Sequence, residues 1–193
     1  VALQFWPDFS NAKVNSNFHT TLWRVRNALG EKNVIAFDGQ YYSIQSEVEV
    51  FYDVREFEAL VERLNDAGIS DVDRRTMSVQ ALELYGGDFL PDIDMPWSDM
   101  RRTDLREKYL SLLEHFAAYE FEHDRFEEAR SLYEKAIPND PFQDSLHLGL
   151  MKCLVRLNAP AAARKHYLHY QRTLLEDVGV EPGQELQIFA GSI

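Results

Sequence analysis

Between Asn11 and Leu29 the chain places polar side chains at a regular helical interval: Lys13, Ser16, Asn17, Thr20, Arg24 and Asn27. With Phe18 set at zero and about 100° per residue, Val14, Leu22, Val25 and Leu29 fall within about 40° of it, and the polar set falls on the far side and its shoulders. Groups of these types can read base-pair edges. An arginine bonds two acceptors of guanine, an asparagine bonds adenine, and serine or threonine reaches a base or a phosphate. In a helix laid in the major groove the N-terminal half makes the base contacts, which favours Ser16, Asn17 and Thr20. Arg26 lies nearer the apolar side, placed for a phosphate or an internal acid. Trp23 is as well placed to pack on a neighbouring element as to touch DNA. The plain alternative is a solvated polar face, which every amphipathic helix has.

Other reactive types are present but lack partners in the sequence. His166-Tyr167-Leu168-His169 spaces two imidazoles three apart on a helix, yet no matched ligand set accompanies them, so packing or surface roles are expected. Glu120-Phe121-Glu122-His123 contains Glu-x-x-His once, whereas a di-iron carboxylate bundle uses it twice. Asp92 and Asp94 sit in a loop between prolines and read as turn formers. There is no glycine-rich phosphate loop with a lysine and no Gly-x-Ser-x-Gly. Cys153 lies on an apolar helical face and reads as a small buried side chain. We therefore expect no catalysis, metal or cofactor.

The elements that must position the polar face follow from periodicity. The spacing predicts a helix from Asn11 to Leu29, stopped at Gly30. Val34-Ile35-Ala36-Phe37 and Gln40-Tyr41-Tyr42-Ser43-Ile44 flank Asp38-Gly39, which predicts a hairpin with both turn residues at positive φ. About forty residues of this kind cannot close a core alone. Val1 reads as mid-helix and there is no initiator Met, so the chain is expected to be a piece of a longer protein with the missing partner upstream.

From Asp53 onward the signals are helical. Helices are predicted over about 54–64, 77–85, from after Trp97 to a break at Asp124, 126–137, 142–157 and 161–177, with a short one after Pro182. A repeat runs through them. Ala129, Tyr133 and Ala136 recur 34 residues later as Ala163, Tyr167 and Tyr170, Ala117 pairs with Met151, and Asp124 and Asn158 fall in matching turns. Small residues at these places let antiparallel helices approach closely. That is the tetratricopeptide pattern; the alternative is an ordinary antiparallel bundle.

Charge separates the two stretches. The 193 residues carry a net charge of −12. Residues 1–46 hold four Lys or Arg against three acids, and the rest hold 16 against 29. Whole-chain acidity is therefore no argument against nucleic acid for the first stretch. One cysteine excludes an intrachain disulfide and fits a reducing cytoplasm. No window approaches the roughly 18 apolar residues of a membrane helix.

Together these blocks resemble a known family. Phe5-Trp6-Pro7-Asp8, the stretch Leu22-Trp23-Arg24-Val25-Arg26-Asn27-Ala28-Leu29-Gly30 and the hairpin are similar to the second half of a winged-helix DNA-binding domain, of the type in response regulators and antibiotic-regulatory-protein activators. Leu84-Tyr85-Gly86-Gly87-Asp88-Phe89-Leu90-Pro91, Trp97 with Arg101, Arg102 and Leu105, and Gly179-Val180-Glu181-Pro182 resemble the bacterial transcriptional activation domain of those activators. The wing tip departs from the family in carrying Asp38-Gly39 and no Arg or Lys.

The resemblance implies a mainly α chain: a partial winged helix-turn-helix over 1–46, then an all-helical tetratricopeptide-like domain over 47–193. It implies a fragment of a DNA-binding transcriptional regulator whose helix 11–29 reads double-stranded DNA. The helical domain would hold RNA polymerase, another protein or a second copy as a homodimer. The rival is a tetratricopeptide-like interaction module that binds no DNA. By resemblance to tetratricopeptide grooves, Glu114, Ala118, Phe121, Leu148, Lys152 and Val155 would line its concave side.

Overall fold

The computed structural model describes residues 5–6, 8–30, 34–66 and 68–193. The helix read at Val1, and Pro7 and Lys32 of the first stretch, lie outside the described residues. The chain forms two compact units, Val1–Phe51 and Tyr52–Ile193.

The first unit holds helix α1 (Asn11–Ala28) and a hairpin of β1 (Ile35–Phe37) and β2 (Tyr42–Ile44). The strands pair antiparallel, with Ile35 opposite Ile44 and Phe37 opposite Tyr42. The turn differs from the two-residue Asp-Gly form. Gly39 takes φ +100° but Asp38 does not take a positive φ. Instead the Asp38 carboxylate accepts the N–H groups of Gln40 and Tyr41, both at 2.8 Å, and closes a four-residue connection. An aspartate that caps its own turn has no need of left-handed backbone.

The apolar face of α1 is only partly covered. Val14 is buried and Phe18 and Leu22 are half-buried. Val25 and Leu29, expected in the same buried stripe, are 40% and 51% exposed. Two three-residue strands offer too little surface to cover five turns of helix. The Phe18 ring meets Tyr42 edge-on at 5.1 Å. The Arg26 guanidinium donates to the Ile35 carbonyl at 2.6 Å, so its partner among the described residues is a hairpin backbone oxygen and not the internal acid, one of its two expected partners.

The second unit is all helix: α2 (Asp53–Leu64), α3 (Asp71–Leu84), α4 (Pro96–Glu122), α5 (Phe126–Ala136), α6 (Asp144–Arg156), α7 (Pro160–Asp177) and α8 (Gln184–Gly191). Helix α3 starts six residues before its apolar periodicity does. Ser70 Oγ accepts the Asp73 N–H at 3.1 Å and fixes the start. Each helix packs on its sequence neighbour from α2 through α8, and α8 also folds back onto α6.

Three buried clusters run along this stack. Phe57, Ala81, Leu105 and Leu112 join α2, α3 and α4. Leu113, Ala117, Ala129, Tyr133, Leu146 and Leu150 join α4, α5 and α6. Met151, Ala163, Tyr170, Leu174 and Leu186 join α6, α7 and α8. The small residues of the repeat stand at the close approaches, with Ala117, Ala129, Ala136 and Ala163 fully buried. Gly149 has the same part: a Cβ there would lie 2.2 Å from the Tyr133 ring.

Two arginines organise the α3–α4 region. Arg102 donates to the carbonyls of Phe89, Leu90 and Ile93 at 3.0, 2.9 and 3.0 Å and so shapes the loop between the helices. Arg75 reaches the buried Glu120 carboxylate at 3.1 Å, which Arg125 also grips. A carboxylate with no exposure is tolerable because two guanidiniums neutralise it.

Candidate nucleic-acid interface and partner groove

Helix α1 presents Lys13, Ser16, Thr20, Arg24 and Asn27 to solvent, with Asn17 half-buried at the shoulder. Lys13 Nζ lies 4.2 Å over the Phe9 ring, a contact that leaves its charge exposed. Thr20 Oγ1 donates to the Ser16 carbonyl at 2.8 Å, so its hydroxyl proton is engaged and its lone pairs face outward. No side-chain hydrogen bond or ion pair holds Ser16, Arg24 or Asn27 among the described residues. Trp23 is 64% exposed, so no described neighbour covers it. At the hairpin tip the Tyr41 and Gln40 N–H groups hold the Asp38 carboxyl below the usual carboxylate range. The tip therefore presents a fixed negative charge.

A groove of about 610 Å³ opens on the second unit between α4, α6 and the start of α8. Glu114, Ala118, Phe121, Leu148 and Lys152 line it, and Val155 does not. Gly183, the residue that precedes α8, and the α8 residues Gln184 to Leu186 form a wall, and Lys152 Nζ stands 3.6 Å from Glu185. Glu114 accepts from Gln143 Nε2 at 2.8 Å and Ser145 Oγ at 2.6 Å. Asp144 accepts Tyr170 Oη on one oxygen and the Gly183 N–H on the other, both at 2.5 Å, and so ties α8 to α6 and α7. Four carboxylates (Glu114, Glu122, Asp144 and Glu185) face one lysine there.

The remaining reactive groups lie away from both surfaces. His166 pairs with His147, Nε2 to Nδ1 at 2.9 Å, while His147 Nε2 donates to the Pro141 carbonyl at 3.0 Å. His147 also stacks on Tyr170 at 3.7 Å. Burial, then the neighbouring His147 and His169, bring His166 down to about 4, and burial lowers His147 as well. His169 is exposed and joins no ligand set. Among the described residues no group of three or more His, Cys, Asp or Glu could hold a metal ion. Burial pushes the Cys153 thiol up to about 12, so it carries no thiolate at neutral pH. Among the described residues no helix is long and apolar enough to cross a membrane.

The comparisons with known proteins follow the same division. The model of the bacterial transcriptional activator domain matches residues 52–193. The chain belongs to the bacterial transcriptional activator domain family. Beyond that domain, the likeness to Regulatory protein AfsR of Streptomyces griseus runs over 185 residues at 28% identity. It takes in 94% of this chain and 19% of that protein. The solved structure of Mycobacterium tuberculosis EmbR, in complex with a low-affinity phosphopeptide, superposes with a TM-score of 0.69 at 19% identity. It covers 98% of this chain and 52% of that one. The family is one of transcriptional regulators, and the fold is a helical activator domain preceded by a helix and a wing-like hairpin.

Within the activator domain, the groove wall contributed by Gly183 to Leu186 has no signal in the repeat, because α8 lies beyond the 34-residue pattern. The His147–His166 pair spans 19 residues and two helices. Only the short His166/His169 spacing is visible in the sequence. The one readable hint of the Asp144 connection is an acid in the first turn of a helix that follows Asp140-Pro141.

Proposed function

We propose that this chain is a fragment of a bacterial DNA-binding transcriptional regulator, in which residues 1–46 are the C-terminal part of a winged-helix domain. Helix 11–29 lies in the major groove of double-stranded DNA, and the helical domain over 47–193 holds a protein partner, RNA polymerase among them, or a second copy. The observation that supports this reading best is the outward set Ser16, Arg24 and Asn27 on one helix, without side-chain partners among the described residues, with Lys13 and Thr20 beside it. It stands on a unit followed by an activator domain. The mechanism is binding, with base edges read by amide, hydroxyl and guanidinium groups and no bond broken. The location is the cytoplasm. Electrophoretic shift of the promoter DNA bound in cells by the parent protein, with this chain and the parent compared, tests it. A parent whose affinity is indifferent to Arg24, Thr20 and Lys13 together overturns the recognition-helix role.

The groove supports a second reading, a protein-interaction module that binds no DNA through this chain. It is favoured by the convergence of Glu114, Ala118, Phe121, Leu148 and Lys152 on one cavity and by the negative hairpin tip. In that case substitutions on α1 leave partner binding intact, while Phe121→Ala and Leu148→Ala abolish it.

A further inference from the structure

We propose that the outward face of α7 docks an acidic amphipathic helix of a partner protein. The argument begins with charge. Residues 52–193 carry 16 Lys and Arg against 27 Asp and Glu. Most of these cations are consumed inside the fold, in ion pairs or on backbone carbonyls, as Arg75, Arg101 and Arg102 are. Arg164, Lys165 and Arg172 are different. They are exposed, they have no partner among the described residues, and they share one face of one helix.

Helical spacing puts Arg164, Leu168, Arg172 and Leu175 in a row, with Lys165 and His169 beside it. Leu168 and Leu175 are 55% and 51% exposed. A hollow of about 470 Å³, lined by Pro160, Ala161, Arg164, Lys165, Leu168 and Ile193, opens at the N-terminal end of this row. Glu176 and Asp177 close the other end. The inner face of the same helix, Ala163, Tyr170 and Leu174, is fully committed to the core. The outer face is therefore a cationic surface with an apolar seam, on a domain that is otherwise strongly acidic.

That combination selects the occupant. Carboxylates satisfy the guanidiniums and the ammonium, and an arginine can bind a carboxylate with two parallel hydrogen bonds. A hydrophobic anchor fills the hollow between Pro160 and Leu168, as helix-in-groove recognition requires. Nucleic acid offers the charge but no apolar side chain to fill the hollow or cover Leu168 and Leu175. This face is separate from the groove lined by α4, α6 and α8. Its failure would leave the groove reading standing, and the reverse also holds.

The test uses the 193-residue chain. A fluorescent helical peptide of about 18 residues, with leucines at i, i+3, i+4 and i+7 and Glu or Asp elsewhere, is titrated by anisotropy at low and high salt. Saturable, salt-sensitive binding is expected. The combined Arg164→Glu, Lys165→Glu, Arg172→Glu variant should weaken it about tenfold or more, and Leu168→Ser several-fold, in line with loss of desolvated anchors. Lys135→Glu, a charge reversal away from α7, should leave it unchanged. Amide exchange should slow on α7 and not along α4. Absence of saturable binding overturns the proposal. So does equal binding of a peptide with the same composition and scrambled leucines, or an unchanged affinity in the triple variant with native circular dichroism. Tighter binding of a short DNA duplex to the same face would reassign it to nucleic acid.

Discussion

Asp124 and Asn158, 34 residues apart, hold nearly the same left-handed backbone, with φ of 59° and 58°. The residue after each donates its N–H to a carbonyl five residues back, Arg125 to Glu120 and Ala159 to Leu154, both at 2.9 Å. The residues themselves donate to Phe121 and Val155, both at 3.1 Å. Helices α4 and α6 thus end in the same closing motif, one repeat apart.

This equality predicts how the turn responds to substitution. Asn158→Ala should cost about 1–2 kcal/mol, the penalty of a Cβ in left-handed backbone without the amide that tolerates it. Asn158→Gly should be neutral or slightly stabilising. Urea midpoints of the two variants decide it, and equal losses would show that the side chain matters and the backbone does not.

The contact of Gly149 with Tyr133 sets a tighter limit. Gly149→Ala places a methyl 2.2 Å from the ring and must shift α5 or α6. We expect a loss of about 1–3 kcal/mol, as for other overpacked cores, with part of it recovered by Tyr133→Leu in the same chain. Ala129→Leu, at a position with no exposure, should lose a similar amount. Thermal melting of the single and paired variants is the measurement.

The imidazole pair makes the domain acid-sensitive. His166 is brought from its ordinary 6.5 to about 4 in the fold. Below about pH 6.5 the unfolded chain binds this proton and the folded chain does not. Stability is therefore complete above that pH and is lost as the pH falls toward 4, by about 2–3 kcal/mol. His147, lowered by burial, adds in the same direction, offset by its bond to the Pro141 carbonyl and by the nearby Asp144 and Asp140 carboxylates. His166→Phe should flatten the dependence of the urea midpoint between pH 6.5 and 4. An unchanged slope would place the acid sensitivity elsewhere.

Arg24 gives the sharpest test of DNA contact. In the full-length parent, a bidentate guanine contact predicts that Arg24→Ala costs about 1–3 kcal/mol and relaxes preference at one base pair. A phosphate contact predicts a uniform loss and a salt slope smaller by about one. The melting temperature should stay near wild type because the side chain is exposed. Affinity measured at two salt concentrations separates the cases.

The helices were readable because their apolar residues face neighbours close in sequence. The 34-residue spacing of Ala129 and Ala163 carries their packing directly. Shortfalls have specific causes. The first turn of α3 rests on the Ser70 cap and has almost no apolar face, so periodicity missed it. The hairpin turn depends on the Asp38 side chain bonding its own loop, which the Asp-Gly pair alone does not reveal. Polar pairs such as buried Glu120 with half-exposed Arg75 join residues 45 apart. They depend on how three helices meet, which no local pattern encodes. The Val25–Leu29 end of α1 shows the opposite case, a clear apolar period left partly uncovered because the hairpin beside it is short.

Neighbour-on-neighbour packing from α2 to α8 also governs how the domain assembles in time. Contacts close in sequence cost little chain entropy to form, so folding should be fast, on the order of milliseconds or less. Each helix pair can grow from the last, and the free energy is close to a sum of local and nearest-interface contributions. A lesion at Leu186 should then fray α8 and the end of α7 while leaving Phe57 and Leu105 protected at the far end. The domain behaves as a chain of coupled links, and its weakest link can open while the others hold.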